Sequence, residues 1–213
     1  MIAHNTYEQI ANLNMEIIKL GSLCEKSIKT VRNYITEKRD VKAELEAITE
    51  EIEHQGKEIS QASIMILLRR HPVAKDLRSV SAALKIVNDL ERIGNNSYDL
   101  AEVISYVEHS SVIMKADIVL MINLVLNMLT KSVDAFVNAD KALAEEVIKS
   151  DDELDLAFIK AKEALVNIIR LSEEGSEDVP DVLLAAKYLE RMGDHTVYMS
   201  RQLIWSIGEN TDK

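Results

Sequence analysis

The chain has 213 residues, 47% of them hydrophobic, with only six glycines and two prolines. That suits long helices in one large domain or two small ones and argues against a β-rich fold. Lys and Arg total 25 against 36 Asp and Glu, a net charge of -11, so the positive footprint that a nucleic-acid binder needs is missing and attraction to anionic lipid is disfavoured. The single cysteine, Cys24, allows no disulfide within the chain, which fits a reducing compartment.

Taken in order, residues 6–35 read as a first helix, because Tyr7, Ile10, Leu13, Ile17, Leu20, Cys24, Ile28, Val31 and Ile35 recur at steps of three and four, the spacing of one helix face. Cys24 falls in that row as a small core residue. A second helix starts after Asp40, a suitable N-cap, and ends near Arg70 because Pro72 lacks a donor N–H and suits the first turn of a third helix. The third fades around 108–111. The plan then repeats: a fourth helix over about 115–138, a fifth from Asp140 to about 172, an acidic loop over 173–178, and a sixth opened by Pro180. The first residues lack the basic region and apolar run of a signal peptide. The most apolar run, 118–129, contains two asparagines and falls short of the roughly 20 residues that cross a bilayer. A cytoplasmic protein with no membrane span is expected.

Short connections between long helices give antiparallel bundles. The predicted fold is therefore all-α, two tandem pseudo-symmetric three-helix bundles over 1–110 and 111–213. A single continuous six-helix bundle is the alternative.

The repeat has a chemical centre. Leu90-Glu91-Arg92-Ile93-Gly94-Asn95-Asn96 returns 99 positions later as Leu189-Glu190-Arg191-Met192-Gly193-Asp194-His195. The surrounding rows match: Leu84, Val87, Glu91, Gly94, Tyr98, Ala101 and Ser105 in the first copy; Leu183, Ala186, Glu190, Gly193, Val197, Ser200 and Ile204 in the second. Each row places a glutamate among core positions, where an ionised carboxylate costs several kcal/mol or more unless paired or metal-bound. Each also places a glycine one turn on, at a cost of roughly 0.5–1 kcal/mol relative to alanine, which points to a close approach to the backbone.

The fifth helix carries Asp151 in its apolar row and Asp155 four residues on, matching the spacing of Glu190 and Asp194 on the sixth. Residues so spaced are neighbours on a helix. Two such pairs on facing helices make a four-carboxylate cluster that repels itself without cations and resembles the metal sites bundles build from inward-facing acids. Hard oxygen donors suit magnesium, manganese or iron. His195 either supports these acids from behind or is a partly exposed histidine. In the first half the predicted counterparts are Glu91 and Asn95, with Asp99 continuing the line, opposite Thr49 and Glu53. Two neutral ligands there predict lower affinity or fewer ions; an acidic solvated cleft is the alternative.

These residues carry a resemblance to the PhoU family of bacterial phosphate-uptake regulators over essentially the whole length. The matching stretches are His71-Pro72-Val73-Ala74-Lys75-Asp76-Leu77-Arg78, Asp89 to Gly94, Asp151-Asp152-Glu153-Leu154-Asp155, and Leu189 to His195. Asp151/Asp155 and Glu190/Asp194 satisfy the family's repeated pattern of an acid followed four residues later by Asp; Glu91/Asn95 and Thr49/Glu53 depart from it. The resemblance implies two three-helix bundles, with iron or zinc clusters at these acids in some members. It also implies an adaptor between the phosphate ABC transporter and a membrane sensor histidine kinase, which keeps phosphate-starvation genes off when phosphate is plentiful. Expected partners are the transporter's ATPase subunit, the kinase and a second copy of the chain. Lys75, Asp76 and Arg78, mixing charges at a turn, are the expected docking residues. The competing class is a carboxylate-bridged metal enzyme. Such oxidases use a Glu-x-x-His pair, whereas Glu91 and Glu190 have Gly94 and Gly193 at that spacing, and there is no nucleophile–base pair or glycine-rich phosphate loop. The third option is a helical scaffold without metal.

Overall fold

The computed structural model describes residues 2–70, 74–171 and 174–208. Helices α1 (Ile2–Glu37), α2 (Lys42–Arg70) and α3 (Ala74–Tyr106) form the first half; α4 (Val112–Lys115), α5 (Ile118–Asn138), α6 (Lys141–Arg170) and α7 (Val179–Ile207) form the second. No strand occurs among the described residues. The repeat offset is visible in the backbone, since α2 begins at Lys42 and α6 at Lys141, 99 residues later. The predicted caps hold. Asp140 accepts from the backbone N–H of Leu143 at 3.0 Å, and Asp40 from that of Lys42 at 3.1 Å, satisfying donors that a helix start leaves unpaired.

The predicted fourth helix is divided. Asp117 sits in the left-handed region at φ 54, a conformation aspartate tolerates through its short polar side chain, and it separates the single turn α4 from α5. The full α5 has 21 residues and is apolar enough to match a bilayer by length and composition, which the shorter run 118–129 did not suggest. Its apolar row is used inside the protein: Ile118, Met121, Ile122, Val125, Met128 and Leu129 are all buried, while Asn123, Asn127 and Asp134 lie on the exposed side. That is the pattern of a core helix.

Helices α3 and α7 pack along each other antiparallel. Arg78 at the start of α3 lies by Gly208 just past the end of α7, Lys85 stands over the Trp205 ring at 5.4 Å, and Asp89 meets His195 at 3.0 Å. Helices α1 and α5 run antiparallel in the same way, with Arg32 bonded to Asn123 at 3.3 Å and Gly21 against Val133. Helix α2 lies against α1 and α3, and α6 against α5 and α7. Each half is thus a three-helix unit, and one hydrophobic cluster runs from Leu20, Ile52 and Leu90 through to Met121, Leu154 and Leu189. Cys24 is fully buried in it, donating to the Leu90 carbonyl at 3.2 Å. Two pairs of buried hydroxyls satisfy each other, Ser27 with Ser97 at 2.9 Å and Ser132 with Ser200 at 3.0 Å, as most buried polar groups do.

A Cβ on Gly21 would lie 2.7 Å from Val133 Cγ2. Because valine's branched side chain has little rotamer freedom, Gly21→Leu is expected to cost about 1–3 kcal/mol by overpacking, measured as a lower urea midpoint. An unchanged midpoint would mean that α1 and α5 can separate there without penalty.

Candidate metal centres

The expected glutamate rows run along one side of a broader buried face. On α7 Ala186, Gly193, Val197 and Ser200 of that row are buried, but so are Val182, Ala185, Leu189, Met192, Thr196 and Leu203 beside it; Glu190 and Asp194 are half-buried, and Leu183 is exposed. On α3 Val87, Gly94 and Ala101 of the expected row are buried together with Ile86, Leu90, Ile93, Leu100 and Ile104, and Glu91, Asn95 and Asp99 are half-buried beside them. Each third helix packs on several neighbours, so its buried face is broad and the acids line its edge, at the lip of the groove toward the second helix. Solvent on one side lowers the cost of charging them relative to a fully buried acid.

In the second half that lip is acidic from both sides. Asp151 on α6 is half-buried and Asp155 exposed, facing Glu190 and Asp194 on α7. Burial raises the Asp151 carboxyl from 3.8 to about 6, with Asp155, Asp194, Asp152 and Glu190 all adding repulsion. Burial and Glu190 likewise raise Asp194. Gly193 permits the approach: a Cβ there would lie 2.2 Å from Leu154 Cδ2 and 3.4 Å from Asp151 Oδ1. One Glu190 oxygen accepts from Lys187 Nζ at 2.5 Å, and that ammonium also stands 5.5 Å over the Phe158 ring. Among the described residues, no three His, Cys, Asp or Glu side chains stand close enough together to enclose an ion. The donor chemistry nonetheless fits one: four mutually repelling carboxylates with one ammonium among them are the hard oxygen set that magnesium, manganese or ferric iron take.

The first half differs in register as well as in composition. Counting back 99 residues from Asp151 and Asp155 gives Ile52 and Gly56, and those two meet the α3 motif: Ile52 Cδ1 is 2.9 Å from a would-be Cβ on Gly94, and Glu91 lies directly over Gly56. Thr49 and Glu53, the predicted counterparts, sit beside that position. They join Asn95, Asp99, Arg92 and Tyr98 around an open cleft of about 540 Å³, with Glu46 and Glu50 at its edge. The structure therefore brings Glu53, Asn95 and Asp99 together around the cleft; Glu91 does not line it but lies close enough to Glu53 that burial and then that carboxylate raise its own carboxyl. Thr49 Oγ1 is buried without a hydrogen-bond partner among the described residues. An aliphatic side chain and a glycine stand where the second half has two aspartates, so this half is the poorer cation site.

His195 turns away from the acids. Its Nδ1 lies 3.0 Å from Asp89 Oδ1, joining α7 to α3. The sequence held a signal for this pair: Asp89 and His195 are positions at which the two copies differ, Tyr188 and Asn96 being their counterparts. Of the matching stretch 71–78, residues 71–73 lie outside the described residues; of the expected docking residues, Lys75 is exposed and Asp76 half-buried. Arg78 is turned inward. Its Nε is buried without a hydrogen-bond partner among the described residues, and its Nη2 reaches the end of α7 by Gly208, where a cation complements the helix dipole.

The Asp151 shift has a testable sign. A carboxyl raised from 3.8 to about 6 on folding holds its proton better in the folded state, so it lowers stability as pH rises through that window. Metal-free wild type should therefore lose thermal stability relative to Asp151→Asn between pH 4 and pH 7. A difference that stays constant across that range would remove the repulsive cluster from the account.

Two three-helix repeats joined by a shared core, with facing acid pairs in the α6–α7 groove of the second, define a class of all-helical tandem-repeat proteins. The PhoU domain model matches residues 17–104 and 118–203, and the chain belongs to the PhoU family. It is 31% identical over 209 residues to the phosphate-specific transport system accessory protein PhoU homologue of Clostridium acetobutylicum, covering 95% of this chain and 94% of that one. The Synechocystis homologue is 27% identical over 210 residues, covering 94% and 91%. The crystal structure of PhoU from Pseudomonas aeruginosa superposes with a TM-score of 0.88 at 24% identity, covering 94% of this chain and 98% of that one. That of the phosphate transport system regulatory protein PhoU from Streptococcus pneumoniae gives 0.87 at 18%, covering 95% and 97%. Membership places the chain among regulatory accessory proteins rather than enzymes.

Proposed function

We propose that this chain is a cytoplasmic regulator of phosphate uptake and of phosphate-starvation signalling, linking the ATPase subunit of the phosphate ABC transporter to a sensor histidine kinase. The observation that carries the reading is family membership across both repeats, with relatives named as accessory proteins of phosphate-specific transport. In this reading output passes through protein contacts, and the long helices offer extended faces for them.

Asp151, Asp155, Glu190 and Asp194 would hold a divalent or trivalent ion, iron, manganese, magnesium or zinc. The ion would supply positive charge that offsets the repulsion among these acids. Their part is to tie α6 to α7; Lys187 gives partial compensation from one side. A second copy of the chain is the remaining expected partner.

The docking residues give the experiment. Lys75, exposed at the start of α3, is expected to contact a partner, whereas Arg78 supports the end of α7. Lys75→Glu should weaken capture of the purified ATPase subunit or kinase cytoplasmic domain at least several-fold at unchanged melting temperature, and Arg78→Glu should lower the melting temperature. Full capture of both partners by Lys75→Glu would move docking elsewhere; capture of neither by wild type would overturn the adaptor reading.

A further inference from the structure

We propose that the outward row of α6 is a self-association seam, along which a second copy of this chain packs antiparallel. This rests on the homodimer expected above and gives it a place on the molecule. Opposite the buried row that includes Leu154, Ala161 and Leu165, helix α6 presents Asp152, Leu156, Ile159, Glu163, Val166 and Arg170, all exposed. The steps between them are four, three, four, three and four, the spacing of a helix–helix seam. Leu156, Ile159 and Val166 are 50%, 46% and 61% exposed. Single exposed aliphatics are ordinary on a protein surface; here Leu156 and Ile159 lie one turn apart, and Val166 continues their row two turns on, past Glu163. The fold itself does not require the first two, because α2 carries Lys57 and Ser60 at the positions of Leu156 and Ile159; at that of Val166 it carries Leu67, which packs partly buried against the core.

Charge fixes the partner and its direction. Antiparallel pairing of two α6 helices sets Leu156 against Val166 of the other copy and Asp152 against Arg170, each twice by symmetry, as an isologous contact demands. The same register brings Glu163 next to Ile159, with Lys160 in the adjoining position. Parallel pairing would instead set Asp152 on Asp152 and Arg170 on Arg170, which is repulsive at both ends. A single helix pair belongs to the smaller class of interfaces, so the dimer is expected to dissociate on dilution.

Sedimentation velocity over a range of protein concentrations tests this. Wild type should show a monomer–dimer equilibrium. Asp152→Arg and Arg170→Asp should each raise the dissociation constant roughly ten-fold or more, and the double variant, which reverses both charges, should recover most of the loss. Leu156→Glu with Val166→Glu should give monomer with unchanged helicity by circular dichroism, as these side chains are exposed. Variants that dimerise like wild type would leave the homodimer standing and overturn the seam. Single variants that dissociate without recovery in the double would overturn the antiparallel pairing. A wild type that is monomeric at every concentration would overturn the homodimer and the seam together.

Discussion

Purified under metal-replete conditions, the protein should lose its bound metal when Glu190 or Asp194 is made Gln or Asn, and keep it when Glu91 is made Gln or Asn95 made Ala. The asymmetry follows from what faces each motif. Glu190 and Asp194 look across at Asp151 and Asp155, and burial together with repulsion from these acids raises Asp151 to about 6, a disfavoured charge that a bound cation offsets. Glu91 looks across at Gly56, and Gly94 at Ile52, neither of which has a side-chain ligand, so Glu53 is the one carboxylate that bears on Glu91 from the facing helix. Each second-half substitution removes one charge and one ligand and should lower affinity at least roughly ten-fold, since changes even to groups behind the ligands of a metal site cost about 10–100-fold. Elemental analysis after gel filtration reads the result. Equal loss from both halves would mean that the open cleft around Glu53, Asn95 and Asp99 binds an ion as well. Chelation should also lower the melting temperature of wild type, because a ligand that binds only the folded state stabilises it.

Much of this was legible in the sequence because helices declare themselves through apolar spacing and the 99-residue repeat declares the plan. Asp40 and Asp140 marked two helix starts, Pro180 a third, and Cys24 read correctly as a core residue. What periodicity cannot give is the width of a buried face. A row through Glu190 and Gly193 has the same spacing whether it runs down the centre of the helix interface or along its edge. Only packing on two or three neighbours places Leu189 and Met192 at the centre and Glu190 at the lip. The register of the first half was missed for a related reason. Thr49 and Glu53 attract notice as polar residues four apart, while their neighbours Ile52 and Gly56, which actually face the motif, carry no chemistry to see. Asp117 could not be read as a break, because aspartate adopts helical and left-handed backbone without a distinguishing neighbour. The Asp89–His195 pair joins residues 106 positions apart, and only the antiparallel packing of α3 on α7 brings them together.

The regulatory role is the central claim, and gene expression tests it most directly. In a strain lacking every PhoU-family gene and grown in abundant phosphate, a reporter driven by a phosphate-starvation promoter should be strongly expressed, and this chain supplied from a plasmid should return it to the repressed level. A reporter that stays repressed in the deletion strain, or stays high when the chain is supplied at normal abundance, would contradict the assignment.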